Sequence, residues 1–274
     1  MSDTSRDVTN RPDKIEIKDV SFDYVDRKSR FGALSHIDLT IREGEFVCVL
    51  GESGCGKSTL LSLLSGLKQP ASGEILLDGS PIRGPGPDRA VVFQQYSLFP
   101  WLTVKGNVLF GIKQSGKSHT GKERSDLADD YIRKVGLAGA ADKYPGQLSG
   151  GMKQRVAVAR ALALEADVLL LDEPFGAIDP KLRLELQELV STLCTRHHKT
   201  VIFVTHDIDE AILLADRIVI MSPGKIRGIL PVDFPHPRRR EALIGTKGYQ
   251  DLHRKLIASF YANIEEQIEA GTAL

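Results

Sequence analysis

Two glycines with four residues between them, followed by Lys and Ser, mark out Gly51-Glu52-Ser53-Gly54-Cys55-Gly56-Lys57-Ser58-Thr59. This is the pattern of a phosphate-binding loop. Its glycines allow the backbone to curl into an anion nest. Lys57 supplies a compact positive charge for β- and γ-phosphates, and the Ser58 hydroxyl suits Mg²⁺. A pair of acids, Asp172 and Glu173, ends the apolar run Val168-Leu169-Leu170-Leu171. Asp172 suits a metal ion, and Glu173 could accept a proton from an attacking water. Taken alone, paired acids after a strand equally suit a helix N-terminus. His206, in Thr205-His206-Asp207, could donate to charge developing on a terminal phosphate, although a His at such a place is often an ordinary capped or core residue. Gln94 follows Ala90-Val91-Val92-Phe93 and offers a neutral group able to touch both Mg²⁺ and water.

A second anion site is encoded about ninety residues after the first, in Leu148-Ser149-Gly150-Gly151-Met152-Lys153-Gln154-Arg155. Ser149 stands where a helix N-cap belongs, and the two glycines leave the following N–H groups uncovered. One triphosphate needs only one such site per chain. A spare site makes sense if it completes the site of another copy.

The elements that must carry these groups can be read from hydrophobic period. Glu45 to Leu50 is a buried strand leading into the loop, and Leu60 to Leu64 starts a helix leaving it. Ile15 to Phe22 largely alternates, as a half-exposed strand does; a charged hairpin loop, Asp26 to Arg30, separates it from Leu34 to Ile41. Gly73 to Gly79 is a short strand closed by an Asp-Gly turn. The opening third therefore reads as mainly antiparallel strand with the phosphate loop embedded in it. Ser125 to Val135 and Gln154 to Leu164 read as helices. The wholly apolar runs Val168–Leu171 and Val201–Val204 flank the amphipathic stretch Leu182–Leu193, which is the mark of βαβ units in a parallel sheet. Ile218 to Met221 adds a strand. After Pro231 the pattern breaks at Pro235, Pro237 and Arg238-Arg239-Arg240. A last amphipathic helix follows, with Leu252, Leu256, Phe260 and Ile264 at helical spacing. The three arginines fall short of a usual lipid-binding cluster, and a solvated turn is the plainer reading.

The 274 residues carry 36 basic and 36 acidic side chains, so no general basicity points to nucleic acid. No stretch reaches the length of a membrane span, and the polar N-terminus lacks the apolar segment of a secretory signal. Three scattered cysteines, Cys48, Cys55 and Cys194, have no metal-ligand spacing and fit a reducing cytosol.

With these motifs in this order, the chain resembles the ATP-binding-cassette ATPases. The phosphate loop, the Gln94 loop, the signature Leu148–Gln154, the strand Val168–Glu173, the Asp179 loop and His206 all fall at the family's spacing, over about residues 15–230. The resemblance implies an α/β P-loop NTPase fold: a mainly parallel RecA-like core sheet, an N-terminal antiparallel β subdomain and an α-helical signature subdomain at about 95–165. Residues 1–13 would form a disordered leader, 14–230 the ATPase domain and 231–274 a C-terminal extension.

It further implies two ATPs, with Mg²⁺, sandwiched in a head-to-tail dimer with a second ATPase subunit. Ser149, Gly150, Gly151 and Gln154 of one copy would then act in trans on the γ-phosphate held by Lys57 of the other. Glu173 would polarise water, His206 would hold the γ-phosphate region, and Asp179 would cross the interface. Tyr24 matches the aromatic residue that stacks on adenine, within a connection, Val25 to Gly32, a few residues longer than usual. Glu52 stands where Pro is common, and Ile178 replaces a usual Leu.

The segment Gln94 to Val104, with Leu98, Phe99 and Trp101, matches the groove that receives a helix of a membrane permease. Phe99-Pro100-Trp101-Leu102-Thr103-Val104 looks like the nitrate, sulfonate and taurine importer branch. An importer would place the chain on the cytoplasmic face of the inner membrane, with permease subunits and, indirectly, an extracytoplasmic solute-binding protein. An exporter ATPase is the alternative, although many exporters fuse their cassette to membrane helices. Soluble repair or translation cassettes carry a long coiled coil or two cassettes in one chain, and a phosphate-loop kinase has no need of Leu148–Gln154.

Overall fold

Apolar runs too hydrophobic for a surface set the frame of the molecule. A computed structural model describes residues 11–26, 29–176, 178–236 and 238–269; the side chains of 26, 29, 30 and 260–269 are not described. In chain order the elements are β1 (Asp13–Asp26), β2 (Ser29–Arg42), β3 (Phe46–Gly51), α1 (Lys57–Leu64), β4 (Ser72–Leu77), β5 (Ser80–Pro81), β6 (Arg89–Val92), α2 (Val104–Gln114), α3 (Gly121–Lys134), α4 (Gly150–Ala163), β7 (Val168–Asp172), α5 (Pro180–Arg196), β8 (Thr200–Thr205), α6 (Ile208–Leu214), β9 (Arg217–Ser222), β10 (Lys225–Pro231), α7 (Arg240–Leu243) and α8 (Lys247–Glu269). The strands hydrogen-bond in two sheets, of order β2-β1-β4-β5 and β10-β9-β3-β8-β7-β6.

The chain divides into two compact units, Met1–Arg83 with Ile202–Leu274, and Gly84–Val201. In the first unit, β1 pairs antiparallel with β2 and β4. The charged hairpin is tighter than the sequence suggests. Val25 pairs with Arg30 and Asp26 with Ser29, so the extra residues lengthen both strands. Residues 27 and 28 lie outside the described residues, as does the leader up to residue 10; Asp13 already opens β1.

The phosphate-loop strand does not belong to this antiparallel sheet. β3 buries all six of its residues and pairs parallel with β9. A strand apolar on both faces needs cover on both, which a parallel core sheet supplies. Phe46 and Phe203 meet edge-on in its core, with ring centroids 6.2 Å apart.

In the second unit, β6 and β7 pair parallel, and α2 and α3 pack on α4. Gly111 in α2 faces the Arg160 carbonyl of α4 so closely that a Cβ would collide with it, so the helices cross at a glycine. α3 starts four residues before the expected Ser125, because Thr120 and Glu123 form a reciprocal capping box.

Candidate functional site

The strand–loop–helix geometry around Gly51–Thr59 is built as the sequence reading requires. Gly56 is the N-cap of α1 with φ 107°, and a Cβ there would stand 2.7 Å from the Ala33 carbonyl oxygen. A Cβ on Gly51 would stand 2.6 Å from both Cys55 Sγ and the Met221 carbonyl oxygen. The loop is thus a backbone cradle that only glycine permits, and it fits a polyphosphate. Gly224 N donates to the Cys55 carbonyl at 3.1 Å, tying the loop to the turn after β9.

Lys57 is buried and donates from Nζ to the carbonyls of Gly51 (2.7 Å) and Glu52 (2.6 Å), which holds its charge inside the cradle. Cys55 Sγ lies 3.9 Å from the same ammonium. Burial nevertheless raises the Cys55 thiol above its ordinary range, outweighing the nearby cation. Gly56→Ala combines a left-handed φ with the collision at Ala33. It is expected to lower stability by about 1–3 kcal/mol and to abolish nucleotide binding, read by urea unfolding and by equilibrium titration with a fluorescent ATP analogue.

Tyr24 donates to or accepts from Thr59 Oγ1 at 3.1 Å, so the aromatic residue sits against the first turn of α1. Its ring meets Phe22 edge-on at 5.1 Å and carries the Lys68 ammonium 4.7 Å from its centroid. Tyr24 is 42% exposed. His206, exposed, follows the end of β8, and Asp207 caps α6.

The second unit carries the acids. Asp172 ends β7 and is 8% exposed, while Glu173 takes up φ 45°, a left-handed conformation rare for a non-glycine residue. Such strain collects at working sites. Gln94 Nε2 lies 3.4 Å from Glu173 Oε2, so two residues far apart in sequence meet. Tyr96 and Ser97 are also left-handed, and Arg160 holds that turn by donating to the Ser97 carbonyl at 2.8 Å. Ser149 caps α4, accepting from Met152 N at 3.3 Å. Asp179 caps α5, accepting from Leu182 N at 3.1 Å, and is exposed. A cavity of about 300 Å³ lined by Lys117, Tyr131, Lys134, Glu165 and Lys199, among others, contains none of these residues.

The sequence profile of the ABC transporter family matches residues 34–176, which include the phosphate loop, Gln94, the Ser149 cap and the β7 acids. The chain belongs to the ABC transporter family. It is 49% identical over 240 residues to the bicarbonate transport ATP-binding protein CmpC of Synechococcus elongatus, covering 86% of this chain and 36% of that one. It is 47% identical over 232 residues to the nitrate import ATP-binding protein NrtD of the same species, covering 84% of this chain and 85% of that one. The chain spans about a third of the length of CmpC and of the nitrate import ATP-binding protein NrtC. Among solved structures, the dimeric ATP-binding cassette MJ0796, in a post-hydrolysis state bound to ADP and Pi, matches with a TM-score of 0.74 at 34% identity, over 80% of this chain and 98% of that one. The fold is that of an ABC ATPase cassette.

Gln154, placed by sequence with Ser149, Gly150 and Gly151, is 1% exposed, and its Nε2 has no hydrogen-bond partner. Four residues into α4, it points into its own unit, whereas Ser149 is exposed at the helix start. Sequence reasoning also missed Asn107. Fully buried, it accepts from Phe99 N at 2.9 Å and donates to the carbonyls of Phe99, Leu102 and Thr103 at 3.0–3.2 Å. It staples the loop that presents Trp101, which is 70% exposed. Its only signal was a polar residue on the apolar face of α2.

Proposed function

We propose that the cassette binds and hydrolyses ATP as the energising subunit of an importer for a small anion such as nitrate, sulfonate or taurine. The observation that carries the ATPase reading is the glycine cradle with Lys57 buried inside it, paired with a second unit that offers the Gln94–Glu173 contact and the exposed Ser149 cap. Lys57 and the loop N–H groups neutralise the phosphates, Tyr24 stacks on the adenine, and Glu173 takes a proton from water oriented with Gln94. His206 donates to the γ-phosphate region.

Mg²⁺ would be held by Ser58, Gln94 and Asp172. Among the described residues no cluster of three or more His, Cys, Asp or Glu forms a metal site by itself, which suits an ion that shares its ligands with phosphate. The ion would offset negative charge on the phosphate oxygens.

A second copy would close over each ATP through Ser149, Gly150 and Gly151, with Asp179 at the interface. Charged hydrogen bonds to phosphate are worth about 1.5–3 kcal/mol each. Losing the γ-phosphate therefore weakens closure, and the dimer reopens. The domain bounds 14–230, with a helical subdomain at about 95–165, belong to this proposal. So does a peripheral place on the cytoplasmic membrane face, since no helix among the described residues is long and apolar enough to cross a membrane.

Trp101 and half-exposed Phe110 both contact the Phe99 ring, with centroids 5.5 and 4.6 Å away. This exposed aromatic cluster fits a permease helix. Names of the relatives NrtD and CmpC support import of a small anion. The test is purification of the tagged chain from gently solubilised native membranes, followed by mass spectrometry. A stoichiometric multispan permease is expected, and Trp101→Ala should reduce its recovery severalfold. Recovery only from the soluble fraction, with ribosomes or nucleic acid, would overturn the importer reading and leave the ATPase chemistry standing.

A further inference from the structure

The residues after β10 carry none of the groups assigned above, yet they close on the helix that follows His206. Thr205 Oγ1 donates to Glu210 Oε2 at 2.8 Å and accepts from Asp207 N at 3.0 Å. Asp207 Oδ1 accepts from Asp209 N at 2.9 Å and from Glu210 N at 3.2 Å. Both neighbours of His206 are therefore locked to the first turn of α6.

The C-terminal segment grips that same turn. Tyr249, 8% exposed, donates its hydroxyl proton to Asp209 Oδ1. Arg240 Nη2 donates to Asp209 Oδ2 at 2.7 Å. His253 Nε2 stands 3.5 Å from Asp209 Oδ1, and its ring stacks on Tyr249 with centroids 5.9 Å apart. Burial, then the Asp209 carboxylate, push the Tyr249 hydroxyl far above the usual phenol range, so it remains a donor. At the other end of α6, Arg238 donates to the carbonyls of Ile212 (3.0 Å) and Ala215, and also to those of Val232 and Phe234. Within the arginine run, Arg238 and Arg240 thus hydrogen-bond to α6, while Arg239 is exposed.

A buried tyrosine hydroxyl needs a partner, but any carbonyl would serve. Here a phenol and a guanidinium from one segment converge on the two oxygens of one carboxylate, three residues beyond His206. We propose that Tyr249 and Arg240 are positioning residues for ATP hydrolysis: through Asp209 they hold α6, and with it the His206 turn, in the arrangement that reaches the γ-phosphate. Release of the segment then slows turnover without weakening nucleotide binding. This rests on the ATPase reading above.

The experiment compares full-length wild type with Tyr249→Phe, Arg240→Gln, His206→Ala and the double variant Tyr249→Phe/His206→Ala. Steady-state ATP hydrolysis and the affinity for a fluorescent ATP analogue are measured for each. Tyr249→Phe and Arg240→Gln are expected to lower kcat about tenfold, less than the 10²-fold that a 1 Å misplacement can cost. KM and analogue affinity should stay within about twofold of wild type. In the His206→Ala background, Tyr249→Phe should add no further loss, because residues acting through one another are not additive.

An equal proportional loss in both backgrounds would overturn the proposal, as would weaker nucleotide binding with unchanged kcat. Should circular dichroism show Tyr249→Phe misfolded, Arg240→Gln, altered at an exposed side chain, carries the same comparison with His206→Ala. An active wild type beside silent variants overturns this inference alone. A wild type that hydrolyses no ATP overturns the ATPase reading and this inference together.

Discussion

Replacing Glu173 by Gln is expected to cut steady-state ATP turnover by about 10²–10⁴-fold, the range a positioned general base contributes, while ATP binding survives. The exchange keeps the size of the side chain and the Gln94 neighbour at 3.4 Å, and changes only its ability to take a proton. Glu173 already holds a left-handed φ of 45°, so the fold around it tolerates a residue of the same shape there. With hydrolysis stopped and the γ-phosphate retained, the closed dimer should accumulate. Size-exclusion chromatography with ATP would show dimer for the variant and a mixture for the wild type. Normal turnover in Glu173→Gln would sink the role given to this residue.

Lys57→Met should act earlier, on binding. Lys57 is 6% exposed, and its ammonium spans the carbonyls of Gly51 and Glu52 within the cradle. Each charged hydrogen bond to phosphate is worth about 1.5–3 kcal/mol. Loss of one or two therefore weakens ATP binding by about 10–10⁴-fold, at 1.4 kcal/mol per tenfold. In the wild type, saturating ATP should raise the melting temperature by mass action on the folded state. In Lys57→Met that rise should shrink at the same ATP concentration. A variant whose ATP affinity stays within twofold of wild type would remove Lys57 from the site.

Much of this site was legible because its chemistry depends on backbone shape. The glycines of residues 51–56, the apolar runs ending at Leu50 and Leu171, and the Ser149 cap are local features that spacing exposes directly. What escaped was set by tertiary contact. β10 alternates exposed and half-exposed residues and ends on Pro231, a weak edge-strand signal. Gln154 looks like its partly exposed neighbours in sequence, yet the phase of α4 turns it inward. Arg238 reads as surface charge until the carbonyl end of α6 is seen beside it. In α8, Leu256 is buried as its spacing predicts, while the side chains of Phe260 and Ile264 lie outside the described residues. No local pattern marks Glu173 as left-handed, since that angle follows from the turn after β7.

The packing around Cys55 has a consequence for redox chemistry. A thiol 3.9 Å from an ammonium, inside an anion nest, ought to be an easily ionised and oxidisable group. Enclosure by Gly51 and the loop backbone reverses that expectation, keeping the sulfur 2% exposed and protonated. Thiolates, not buried thiols, attack peroxides and disulfides. The thiol inside the glycine-rich loop is therefore shielded from oxidants that reach exposed cysteines.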